Sequence, residues 1–149
     1  MDLSFYLRQN QQEIIKTSFE GLLRSNLKHY SSSNANENWQ RIENLFDLTL
    51  KSIENKSLVE MIEYSEKVAA ERFKMGFDLH EVHTAYNVLE ETLWKEILNN
   101  IELKEIGKAL GLVSTILGAG KETLALTYLS LTGKAKPKSL DLSELFKGG

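Results

Sequence analysis

His29, His80 and His83 are the only imidazoles in this 149-residue chain, and two of them sit in His80-Glu81-Val-His83. That spacing invites a zinc reading. A zinc-protease helix needs His-Glu-x-x-His, which sets both rings one turn apart on one face. Here Thr84 occupies the required position, and no third ligand is apparent. With no cysteine in the chain, thiolate metal sites and disulfides are also excluded. A di-iron bundle needs Glu-x-x-His on core helices, and none of the three histidines has glutamate three positions before it. Haem asks for a single proximal histidine, so His80 and His83 stay open as the residues of a haem- or metal-binding sensor.

Gly118-Ala-Gly120-Lys121-Glu122-Thr123 has the look of a phosphate-loop ending. The pattern requires glycine five before Gly120 and a hydroxyl after the lysine. Thr115 and Glu122 stand there instead, and no strand precedes them. No nucleophile is paired with a base anywhere, so catalysis is not expected. Lysines are dispersed among glutamates and the formal charge is −3, so nucleic acid is not an expected partner. No metal and no cofactor are expected.

Arg72 is the residue that needs explaining. It falls between Val68, Ala69 and Phe73 on the apolar side of an amphipathic stretch. A buried guanidinium requires an anion or carbonyls. Glu90, Glu13 and a carbonyl near the following turn are the candidate partners, and a side chain whose stem packs while its head reaches water is the plainer reading.

These residues must be carried by helices. A single proline, 42% hydrophobic residues and long stretches without turn formers point to an all-α chain. The periodicity predicts five helices, at about 2–28 (softened at Gly21), 36–55, 57–76, 79–100 and 103–132. A polar loop is expected at 31–36. Ser57 with Glu60 and Asp78 with Glu81 read as capping boxes. The short Gly76-Phe77-Asp78 connection predicts an antiparallel hairpin. The expected architecture is a helical bundle with a long C-terminal helix, globin-like or four-helix-bundle-like.

That last helix keeps one apolar phase through Ile106, Leu110, Val113, Leu117, Gly120, Leu124, Thr127 and Leu131. A second stripe carries Gly107, Gly111, Ser114, Gly118 and Ala125. Small residues let another helix approach closely, either within the bundle, which is the favoured reading, or as a seam between two copies. Gly133 is expected to cap the helix. The domain then spans 1–133, with 134–149 as a basic linker and a short amphipathic turn at 139–146. The start, Met1-Asp2-Leu3-Ser4, is acidic and unlike a secretory signal. The apolar run Ala109–Ala119 is shorter than the roughly 20 residues of a membrane span, so a cytoplasmic location without membrane contact is expected.

Arg72-x-x-x-Gly76-Phe77-Asp78-Leu-x-Glu81-Val-x-x-x-Tyr86-x-x-Leu89 resembles the core hairpin of the RsbRD N-terminal domain family. Those domains are helical bundles ahead of output modules in bacterial signalling proteins. The resemblance covers about residues 57–98. It implies a non-catalytic regulatory or sensory input domain, often dimeric, facing a kinase, phosphatase or anti-sigma type partner. Arg72, Gly76 and Phe77 carry over from it directly, and His83, Tyr86 and Glu90 complete the candidate ligand or partner residues. Glu90 departs from the basic residue expected after Leu89. The alternatives are the haem or metal sensor at His80 and His83, and a purely structural interaction module.

Overall fold

Local hydrogen-bond competition divides the first helix where its apolar rhythm gives no warning. In the computed structural model, which describes residues 2–135, α1 runs Leu3–Gln9 and α2 runs Gln11–Arg24. Asn10 breaks the helical dihedrals, and its side-chain amide donates back to the Tyr6 carbonyl at 2.9 Å. Such a side chain offers the backbone an alternative to helix continuation. Gly21, where softening was expected, lies inside α2. A Cβ there would come within 2.9 Å of the Val88 side chain, so its bareness serves the contact between helices. The left-handed Asn26 precedes a short helix, α3, at Lys28–Ser32, which starts where the first helix was expected to end and runs into the expected loop.

α4 spans Ala35–Asn55, begun by the Asn34 side chain accepting from the Asn36 N–H at 2.7 Å. Of the stripe that the periodicity predicts, Ile42, Leu45, Phe46, Thr49 and Ile53 are buried and Trp39 is half-buried. α5 begins at Val59 and ends at Lys74. The expected Ser57–Glu60 box does not form. Ser57 only accepts from the Val59 N–H at 3.3 Å, and Leu58 occupies the cap. α6 spans Leu79–Asn100 behind the Asp78–Glu81 capping box.

α7, Leu103–Ala135, is the long rod expected, and it organises the bundle. It packs chiefly on α5 and α6, while those two touch each other sparingly. The expected hairpin thus turns where predicted, but its arms pack more on α7 than on one another. Gly120 lies at that junction. A Cβ there would meet Tyr86 at 2.7 Å, Met61 at 3.0 Å and Ser65 at 3.0 Å. Leu117 and Leu124 are fully buried beside it. Each such side chain taken from water contributes about 1.5–3 kcal/mol.

The small-residue stripe serves internal packing only at Ser114, which accepts from Trp94 Nε1 of α6 at 3.1 Å; its glycines do not, contrary to expectation. A Cβ at Gly107, Gly111 or Gly118 would touch nothing within 4 Å, and Gly107 and Gly111 are exposed. Gly133 does not cap α7 either. Its φ is not in the left-handed region, and the helix continues through Ala135. The stretch Leu103–Gly133 is long and apolar enough to cross a membrane by length and composition, with 33% of its most apolar window buried. The shorter run 109–119 understated it, because glycine, serine and threonine barely lower the average. The tail from 136 onward, including the expected amphipathic turn, lies outside the described residues. Among the described residues the chain forms seven helices and no strand, an all-α bundle.

Candidate functional site at the Gly-Phe-Asp corner

Gly76 adopts φ +87°, which an L side chain rarely tolerates. Its N–H donates to the Phe73 carbonyl at 3.1 Å, and the Phe77 N–H reaches back to the Arg72 carbonyl at 2.9 Å. These two bonds make a Schellman ending to α5. That ending normally sets an apolar residue against the residue five before it. Here the pair is Phe77 and Arg72, so a guanidinium lies over the ring, 5.8 Å from its centroid.

Phe77 is buried and serves as a hub. His29 stacks on it at 4.8 Å, and Tyr30 meets it edge-on at 5.1 Å. A second cation, Arg41 of α4, lies over the same ring at 5.5 Å and over Tyr30 at 5.7 Å. Tyr128 of α7 donates to the Phe77 carbonyl at 2.8 Å, and Phe73 meets its ring at 5.5 Å. The Phe77 ring therefore gathers α3, α4 and α5, and its carbonyl holds α7 just ahead of α6.

Arg72 is 5% exposed, as the apolar stripe requires. Its anion is none of the candidates. Nη1 donates to the carboxylate of its neighbour Glu71, whose side chain is 57% exposed. Nε of Arg72 is buried with no hydrogen-bond partner among the described residues. Arg41 donates to Asn38 Oδ1 at 2.9 Å and Ser33 Oγ at 3.2 Å, and meets Glu37 at 3.7 Å. Burial first, and then the positive field of Arg72, push the Arg41 pKa down.

Glu81 is the buried carboxylate of the corner and is fully engaged. It accepts from the His29 N–H at 2.9 Å, meets His29 Nδ1 at 2.7 Å, and accepts from the Asp78 N–H at 3.0 Å. Burial alone would raise its pKa. The backbone bonds from His29 and Asp78, then the His29 ring, outweigh that and hold it below the ordinary value.

The expected site residues thus separate into three places. Arg72, Gly76 and Phe77 share the corner. Tyr86 lies at the Gly120 junction, bonded to Ser65 Oγ at 2.8 Å. His83 and Glu90 line the seam between α6 and α7. His83 Nε2 faces the Lys121 carbonyl at 3.0 Å, and Glu90 meets Lys121 Nζ at 2.6 Å. Glu90 accordingly has its own lysine and takes no part in neutralising Arg72. His80 is exposed, and His83 is half-buried against α7. Among the described residues no three histidine or carboxylate side chains converge as a metal site. Sequence reasoning missed Arg41, Tyr30 and His29. Arg41 sits one residue before Ile42 on a helix whose charges look solvated, so only its neighbours in space single it out.

No family model, curated protein or solved structure matches this chain.

Proposed function

We propose that this chain is a non-catalytic regulatory input domain of a signalling protein, acting by protein contact or through a small ligand held between helices. The observation that carries the reading is the Tyr128–Phe77 hydrogen bond. Through it α7 is tied to a buried, charged corner while keeping a bare face elsewhere. At about 100° per residue, Leu103 and Leu129 fall on the face of Gly107, Gly111, Ser114 and Gly118, and both leucines are exposed. A change in corner packing has a direct path to a surface suited to a second helix. The stripe supports a homodimer formed along it, and the RsbRD N-terminal resemblance implies a dimer and a kinase, phosphatase or anti-sigma type partner. A cytoplasmic location, with α7 as a bundle helix, belongs to the same reading.

Light scattering tests the surface. A dimer in the wild type that Gly111→Leu dissociates, at unchanged helical content, supports the reading. Thermal-shift screening against metabolites tests the ligand arm. A monomer at every concentration that responds to no ligand overturns the proposal.

A further inference from the structure

Two guanidiniums from different helices converge on Phe77, and among the described residues their anions come only from the rim. Arg72 is 5% exposed, and the Arg41 side chain 13%. Their carboxylates, Glu71 and Glu37, are 57% and 61% exposed, and Glu37 stands off at 3.7 Å. Glu81, the buried carboxylate nearby, is committed to His29 and to its own cap. Phe77 and Tyr30 attract the cations through their ring faces but cannot neutralise them. Among the described residues Arg72 Nε remains buried without an acceptor, so the donor set of this corner exceeds what they supply.

We propose that Arg41 and Arg72 form a binding site for a small oxyanion, phosphate or carboxylate, whose place the chain's own Glu71 carboxylate holds. Planar guanidinium forks bind such anions in bidentate fashion. Glu71 lies on the solvent side of α5 and can leave by side-chain rotation, without moving the helix. An anion seated between the two arginines clamps α4 to α5 beside the carbonyl that Tyr128 holds. The site rests on the regulatory reading above and supplies its ligand class.

Nuclear magnetic resonance of the arginine Nε–H groups tests it on the full chain. Inorganic phosphate and acetate are titrated against sodium chloride at matched ionic strength. Saturable shifts of the Arg41 and Arg72 signals are expected, and the anion that produces them identifies the class. Removing the internal competitor, Glu71→Gln, tightens binding about tenfold, and Arg41→Gln weakens it by about the same factor. Arg72→Gln abolishes it. Should that variant not fold, the opposite effects of Glu71→Gln and Arg41→Gln still carry the test. Absence of saturation in both the wild type and Glu71→Gln overturns the site, as does an unchanged response in Arg41→Gln. If the site falls while the dimer and its dissociation by Gly111→Leu persist, the regulatory reading stands without it. If anions bind but hydrogen exchange along α7 does not respond and the chain is monomeric, the regulatory reading falls and the site stands.

Discussion

Glu81 shows how one side chain can serve a helix end and a tertiary contact together. It closes the first turn of α6 through Asp78 and holds α3 through His29. Because its folded pKa lies below the ordinary value, the ionised form stabilises the fold. That contribution is present above the unfolded carboxylate value of about 4.3 and is lost as pH falls through the lower folded value. Glu81→Gln should therefore flatten the acid limb of a stability-against-pH curve measured by urea melts. It should also lower stability at neutral pH by about 1–3 kcal/mol, the usual cost of leaving buried hydrogen-bonding groups unpaired. An unchanged acid limb would show that Glu81 is not the group responsible. The capping role was legible in the sequence from the Asp78–Glu81 spacing. The tie to His29, 52 positions away, was not, because no periodicity relates the two.

Glycines on α7 separate local propensity from packing. Gly120 and Gly111 are equally poor helix formers, and alanine at either gains about 1 kcal/mol of propensity. At Gly120 the added methyl would drive into Tyr86, Met61 and Ser65. Overpacking of this kind costs about 1–3 kcal/mol, so Gly120→Ala should lower the melting temperature. At Gly111 nothing lies within 4 Å, so Gly111→Ala should raise the monomer's stability by up to about 1 kcal/mol. Thermal melts of the two variants side by side decide the matter. A destabilised Gly111→Ala that also shifts the association equilibrium would place a second helix on that face. The apolar phase of α7 was readable from sequence through all its glycines. Which glycine stripe faces the bundle was not, since small residues suit a close contact and an open surface equally. The break at Asn10 was hidden for a related reason. Apolar spacing continues across it, and the break shows only in the dihedrals of Asn10, whose N–H and side-chain amide both return to the Tyr6 carbonyl.

At the scale of the molecule, all five tyrosines hold their protons more tightly than free tyrosine. Burial is the leading cause at each. Tyr6, helped by its 2.5 Å bond to Glu96, and Tyr128 are both pushed up to about 12. A phenol whose folded pKa is raised contributes stability that is whole below the unfolded value of about 10 and is lost as pH climbs through the folded one. Native protein should thus show little phenolate absorbance at pH 10, and the full amplitude should appear together with loss of helical circular dichroism. Ordinary titration of several tyrosines in the intact fold would contradict this placement. The five phenols come from α1, α3, α5, α6 and α7, so the alkaline transition reports the bundle as a whole.

The all-α class, the spans of the longer helices, the inward stripes and the turn at Gly76 were determined by the sequence alone. Each follows from short-range physics: hydrophobic repeat, capping chemistry and the left-handed freedom of glycine. Tertiary structure decided what those surfaces meet. It paired Glu90 with Lys121, set α7 against α5 and α6, turned Gly107 and Gly111 outward, and brought Arg41 beside Arg72 over Phe77. Such pairings depend on the three-dimensional path of the chain. A residue's spacing along one helix says which way it faces and carries no record of the partner that arrives there.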